Sequence, residues 1–352
     1  MEQNRQTALR RFFAIRGMAS AMIALAALFV IYVGFGLKEP TVFSATNNMN
    51  LLRSMSKYLL IGIGQSYLLI TGNIDLSIGA MVGMSAMISA TLMIHAVHPV
   101  WAALVTLACC LVIGLVNGFL VGKCKLPPFI ATLGTMFCAR GIAYMVNNNR
   151  NTDAISSGIG KPVSKAFENL FYYGKVIDHP WWPYNTFWIA LLLFALFFFL
   201  LSKTRTGRHI YAIGSNVEAA KLSGVNVFVT TTKAYLVSAF CAFMVGLILC
   251  AQAGMGNMEA GNTYEMYGVA AGVIGGISPL GGTGLLLGTF MGAAVWQALE
   301  NGLNMSGAQV GIQRIAIGVI VVFSVLLDVV VRRGALEKRR ISPRKRDQDV
   351  AL

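Results

Sequence analysis

The sequence predicts an all-α membrane protein with about ten transmembrane helices, both termini cytoplasmic and some helices broken or re-entrant. Three observations carry that prediction. Of 352 residues, 56% are hydrophobic and 12% charged, about half the charged share of a soluble domain. The apolar residues gather in ten runs, most of them long enough to cross a hydrocarbon layer of about 30 Å. Lys and Arg gather at alternate ends of those runs, as the positive-inside bias requires. The net charge of +14 therefore belongs to span ends and not to a nucleic-acid surface. Basic and aromatic residues interleave in no groove-like stretch.

The first run, residues 18–37, follows Arg5, Arg10, Arg11 and Arg16. No A-x-A cleavage site comes after it, so it reads as a retained span rather than a signal peptide. The other runs cover about 54–72, 76–96, 100–122, 128–146, 186–202, 233–254, 267–280, 283–302 and 312–331. The eighth is short for a full crossing. The breaks at 73–75 and 281–283 are too short to be ordinary loops.

With the N-terminus inside, Lys123, Lys125, Lys203, Arg205, Arg208, Lys221 and Lys233 also fall inside. So does the tail 332–352, with Arg332, Arg333, Lys338, Arg339, Arg340, Arg344, Lys345 and Arg346. Residues 1–17 form a cytoplasmic N-terminus and 18–331 the membrane domain. Segment 255–266 carries Glu259 and Glu265 without Lys or Arg and falls outside. The long segment 147–185 also falls outside. Its middle suits a short amphipathic helix at the interface, and Trp181 and Trp182 suit an interfacial anchor or a docking surface.

Signatures of catalysis are missing from the sequence. There is no G-x-x-x-x-G-K-[ST], so the chain binds no ATP through a P-loop. No G-x-S-x-G or H-E-x-x-H occurs, and His95, His98, His179 and His209 do not cluster. Cys109, Cys110, Cys124, Cys138, Cys241 and Cys250 form no C-x-x-C pair and read as small apolar residues. The expectation is a chain with no catalytic residue, metal or cofactor of its own.

Two glycine ladders stand out, Gly114–Gly118–Gly122 and Gly284–Gly288–Gly292. A glycine at every fourth position lets helices touch backbone to backbone, for tight packing or for sliding. Residues 70–79 interrupt an apolar helix at Asn73 and Asp75. Irregular backbone at membrane depth survives only where protein or a cavity lines it. Asp75 can cap the helix that restarts there, or can touch substrate together with Asn73 and Ser77. The second break, with Gly275 and Gly276, lacks an acid. Interrupted segments in both halves point to a pathway between them. Gln65, Arg140, Gln313, Arg314 and Asp328 are the other polar groups of the runs. Arg140 is the deepest of these, placed for gating, snorkelling or a pair.

The strongest local signal is the loop 203–232. There Asn216 or Ser215 can cap a short helix from Val217, Glu218 suits its first turn and Gly224 ends it. Such a helix can fit a groove on a soluble partner and transmit a push.

Glu218-Ala219-Ala220, with Gly224 four residues on, resembles the E-A-A-x-x-x-G loop of bacterial ABC import permeases. The I-x-L-P that extends this pattern is absent, which fits the sugar-specific branch. Thr71-Gly-Asn-Ile-Asp-Leu-Ser-Ile-Gly79 is similar to the G-G-I-D-L-S-V-G of the ribose/xylose-type permeases, with Asn73 in place of the second glycine. Pro127-Pro-Phe-Ile-Ala-Thr-Leu-Gly-Thr135 with Ala139-Arg140-Gly141, Gly207-Arg-His-Ile-Tyr-Ala-Ile-Gly214 and Val273-Ile-Gly-Gly-Ile277 match as well. Tyr267 stands where the family often has an acid.

This resemblance runs from about residue 40 to 333. It implies a monosaccharide importer subunit in the bacterial inner membrane, paired with a second permease copy or a sister permease. Glu218, Ala219, Ala220 and Gly224 would dock an ABC ATPase of the double-cassette kind. A periplasmic sugar-binding protein would deliver the sugar. The alternative is a secondary carrier driven by an ion gradient, which would need buried carboxylates or cation-binding breaks.

Overall fold

The computed structural model describes residues 18–309, together with residues 311, 312, 315, 318, 319, 322 and 326, which are helical. Segment 1–17, the tail 332–352, and Gln313, Arg314 and Asp328 of the tenth run lie outside the described residues. The regular secondary structure of the described residues is helical, apart from one isolated bridge between Lys175 and Tyr184.

The long helices are α1 (Met18–Lys38), α2 (Ala45–Ile70), α3 (Ser77–Ile94), α4 (Pro99–Gly122) and α5 (Pro128–Met145). Two short helices follow, α6 (Ser156–Ile159) and α7 (Lys161–Glu168), then a π turn at Asn169–Tyr173. The chain continues with α8 (Asn185–Lys203), α9 (Arg205–Ser215), α10 (Val217–Leu222), α11 (Val227–Ala253), α12 (Tyr264–Ile274) and α13 (Leu286–Met305). Among the described helices α1, α3, α4, α8 and α11 are long and apolar enough to cross a membrane.

Apolar side chains cover the outside of the described bundle as well as filling most of its centre. The centre is α2, α3 and α11, and every residue from Met55 to Ile70 is buried. Buried Ser56, Gln65, Ser66, Ser77, Ser85, Ser89 and Ser238 sit in this centre. The exposed positions of α4 include Trp101, Leu104, Val105, Val112, Leu115, Val116 and Phe119, whereas Ala102, Thr106, Cys110, Ile113, Asn117 and Val121 face inward. The inward positions recur at three- and four-residue spacing, which is one face of a helix. An apolar outer face suits lipid rather than water. α4 meets α11 through the first glycine ladder: a Cβ at Gly118 would lie 2.7 Å from Thr232 Cα, and one at Gly122 3.2 Å from Phe228 Cα.

The first nine predicted runs fall on helices, but three boundaries move. α2 begins nine residues before its run, where Ser44 Oγ accepts from the Asn47 N–H at 3.2 Å. α11 begins at Val227 rather than 233, because Asn226 Oδ1 accepts from the Val229 N–H at 3.0 Å. Residues 227–232 of the predicted loop are therefore helical. The eighth run shrinks to α12, 11 residues long and about 16 Å by helical rise. Residues 275–285 then turn back into α13.

Segment 255–263 does not stay at the bundle's rim. A Cβ at Gly256 would lie 2.9 Å from Ala90 Cβ, and one at Gly261 2.7 Å from Val82 Cβ. The segment thus runs along α3 before α12 begins. α12 lies against α13 through the second ladder. Cβ atoms at Gly288 and Gly292 would overlap the carbonyl oxygens of Gly275 and Ala271. Gly288→Val should therefore prise the pair apart at a cost of about 2 kcal/mol or more. A purified variant in detergent is expected to melt several degrees below the wild type, and an unchanged melting point would contradict this packing.

The end of the bundle near residue 147 is covered by α6, α7 and the π turn. Ser164 and Phe167 form the buried face of α7. Trp182 packs against Trp188 with ring centroids 5.6 Å apart, while Trp181 is exposed. The Arg53 guanidinium lies 4.3 Å and 4.1 Å from the ring centroids of Tyr172 and Tyr184. Burial pushes the Tyr172 phenol above its usual pKa, while the Arg53 charge acts in the other direction.

Candidate functional site

The first helix break is organised around Asp75, which has no exposed surface. Its Oδ1 accepts from the Ser77 N–H at 2.8 Å and from Ser77 Oγ at 2.5 Å. Its Oδ2 accepts from Ser238 Oγ of α11 at 2.7 Å. Gln65 of α2 donates to the Asp75 carbonyl, and Tyr235 donates to the Ile74 carbonyl at 3.1 Å. Asn117 of α4 donates to Ser77 Oγ at 2.9 Å and accepts from Thr135 Oγ1 of α5 at 2.7 Å. One carboxylate thus anchors a network over five helices. It takes the N–H of the first residue of α3, one position before the formal cap, Leu76. A carboxylate there also faces the positive end of the helix dipole.

Asn73 points elsewhere. It donates to Thr71 Oγ1 at 2.8 Å and lines a cleft of about 330 Å³ with Pro127, Phe129, Val269 and Pro279. The structure therefore brings Asp75 and Ser77 together and separates Asn73 from them. Gly275 and Gly276 end α12, Gly276 with a positive φ of 84°. Gly275 lies against Gly288.

Arg140 finds two backbone carbonyls rather than an acid. Its Nη1 donates to Met258 O at 2.8 Å and Ala260 O at 3.2 Å. It pins segment 255–263 to α5. Tyr144, one turn on, donates to Glu259 at 2.5 Å.

Sequence reasoning missed a second, partly buried polar group. Lys57 of α2 donates to Gln252 Oε1 of α11 at 3.1 Å, and Tyr58 donates to Glu300 Oε2 of α13 at 2.8 Å. Tyr58, Tyr264, Tyr267 and Trp296 pack around this group edge to face or tilted. Lys57 and Glu300 each lie near the end of an apolar run, where a charge reads as interfacial. Neighbouring helices bury Lys57 and half-bury Glu300.

The α9–α10 corner is the third element. Thr204 caps α9, its Oγ1 accepting from the Gly207 N–H at 3.3 Å. Asn216 caps α10, its Oδ1 accepting from the Ala219 N–H at 2.9 Å. The Gly224 N–H donates to Lys221 O at 2.9 Å, with φ 80° at Gly224. Of the four predicted docking residues, Glu218, Ala219 and Gly224 are exposed and Ala220 is buried against Ile213 and Val225. Glu218 meets only Lys221, at 3.4 Å and in solvent, so the pair contributes little to stability. Leu222 is 91% exposed, an unusual position for a leucine on a helix this short. Among the described residues no group of three His, Cys, Asp or Glu could hold a metal.

Among the described residues, a helical bundle with an apolar exterior and buried polar side chains at its centre is that of a multi-pass membrane protein. Residues 47–325 match the family described as branched-chain amino acid transport system / permease component, and the chain belongs to that family. It is 32% identical over 321 residues to the ribose import permease protein RbsC of Escherichia coli (strain K12), covering 91% of this chain and 96% of that one. It is 33% identical over 305 residues to the D-allose transport system permease protein AlsC of the same organism, covering 86% and 89%. It is 35% identical over 303 residues to the galactose/methyl galactoside import permease protein MglC of Salmonella typhimurium, covering 83% and 88%. No solved structure matches the chain.

Proposed function

We propose that this chain is the permease subunit of an ABC importer in the bacterial inner membrane and forms the pathway for a monosaccharide: a pentose, a hexose or a related polyol. The observation that carries the reading is its nearly end-to-end similarity to permeases for ribose, allose and galactose. About ten spans with both termini in the cytoplasm accommodate the helices and the placement of Lys and Arg. The α9–α10 corner would then face the cytoplasm and receive the ATPase, of the double-cassette kind. A periplasmic sugar-binding protein would dock on the opposite side. A second copy or a sister permease would complete the pathway, and covalent chemistry would reside in the ATPase.

The test is uptake of labelled ribose, galactose and allose in a strain lacking its own importers for them. The chain is co-expressed there with its cognate ATPase and binding protein. Uptake of at least one sugar is expected, lost on ATP depletion and retained with an uncoupler. Uptake that survives ATP depletion and collapses with an uncoupler would identify a secondary carrier instead.

A further inference from the structure

α9 connects the proposed ATPase dock to both helix breaks at a single point. α9 and α10 are separated by one extended residue, Asn216 (φ −164°, ψ 110°). Ile213, Ala220 and Val225 pack them together. A push on α10 therefore reaches α9 without a flexible linker to absorb it. At the far side of α9, Gly214 lies on backbone. A Cβ there would overlap the Ile70 carbonyl oxygen at the end of α2, and would lie 2.5 Å from the Gly282 nitrogen in the second break.

Those two groups are bonded to each other, with the Gly282 N–H donating to Ile70 O at 2.8 Å. A Cβ at Gly281 would lie 2.8 Å from Gly214 O and 3.1 Å from Gly72 Cα; one at Gly282 would lie 2.8 Å from Ser215 Cα. Gly281 and Gly282 have φ of 88° and 72°, a region open to glycine at little cost. One turn back, Tyr211 OH donates to Gly284 O at 2.8 Å. Three segments remote in sequence thus meet backbone to backbone. Beside them a cleft of about 550 Å³, lined by Arg208, Tyr211, Ser215 and Leu285, leaves α9 room to shift.

We propose that α9 is a lever whose Gly214–Ser215 end moves the 71–76 and 275–285 breaks as one unit, so that Gly214 and Tyr211 are positioning residues for sugar passage. Backbone contacts suit this because no rotamer change can dissipate the displacement. The proposal rests on the ABC permease reading.

Its test is the complete complex of permease, ATPase and binding protein in liposomes, read as sugar imported per ATP hydrolysed. The probe is labelled ribose, galactose or allose, whichever the wild type imports. A wild type that imports none of them with ATP overturns the permease reading itself, and the lever with it. With a working wild type, Gly214→Ala is expected to lower the sugar imported per ATP hydrolysed about tenfold or more in the complex that assembles. Tyr211→Phe adds no volume and removes one hydrogen bond, so it serves even where Gly214→Ala does not fold. Its ratio is expected to fall about fivefold. A purely structural role would lower yield and leave the ratio of correctly folded complex unchanged. An unchanged ratio in Tyr211→Phe overturns the lever.

Discussion

Replacing Asp75 with alanine is expected to lower the folded yield of the protein severely. The carboxylate accepts three hydrogen bonds, from the Ser77 N–H, the Ser77 hydroxyl and the Ser238 hydroxyl, and none of its surface reaches solvent. Alanine leaves those donors without a partner where water cannot replace one. At about 1 kcal/mol for each orphaned donor, the loss is about 3 kcal/mol, a large share of ordinary stability. The effect spreads because Ser77 also binds Asn117, which binds Thr135. Asp75→Asn is the informative partner. Asparagine keeps an acceptor for Ser77 and fills the same volume, so yield should return to near the wild-type level with transport retained. The measurement is monodisperse protein recovered in detergent, followed by uptake. A well-folded Asp75→Asn variant that no longer transports would show that the charge itself is used. That result would favour ion coupling over a capping role.

The Asp75 cluster shows how far the sequence could be read. The break was legible because Gly72, Asn73 and Asp75 interrupt an apolar run, and the capping chemistry of an acid before a helix is local. Ser238 and Asn117 were not legible as its partners, since they lie 163 and 42 positions away and a hydroxyl in a long apolar run has no distinctive pattern. The same limit applies to Lys57 and half-buried Glu300, whose shielding from solvent depends on packing from helices remote in sequence. Boundaries moved where a cap precedes the apolar residues. Asn226 starts α11 while Thr230, Thr231 and Thr232 still read as loop. α12 was drawn too long because Ile277 and Leu280 extend the run past Gly276, whose positive φ stops the helix. The loop 203–232 yielded the short helix α10, because Asn216 and Gly224 punctuate it. It did not yield α9, whose amphipathic pattern of Gly207, Ile210 and Ile213 buried beneath Arg205 and Arg208 spans barely three turns.

The second large effect is expected at α10, on function rather than stability. Leu222→Asp and Glu218→Lys should leave the permease folded in the membrane and abolish its transport. Neither side chain supports the fold: Leu222 is 91% exposed and Glu218 contacts only Lys221. The anchor of α10 is Ala220, buried against Ile213 and Val225, and both substitutions leave it untouched. If Leu222 enters a groove of the ATPase, its burial contributes about 1.5–3 kcal/mol to docking. Its loss should then weaken association about 10- to 100-fold. Glu218→Lys reverses a charge in the first turn of α10, where the helix dipole favours an acid, and places two lysines side by side. Co-purification of the ATPase with each variant is the measurement, with size-exclusion behaviour as the control for folding. Gly224→Pro should also abolish docking, by a different route. Proline cannot adopt the φ of 80° at this position and removes the N–H that closes the helix on Lys221. It therefore tests the shape of α10, whereas Leu222→Asp tests its surface. Wild-type ATPase recovery and uptake in all three variants would show that α10 is not the dock. Loss in Gly224→Pro alone would mean that α10 supports the corner structurally while another surface carries the contact.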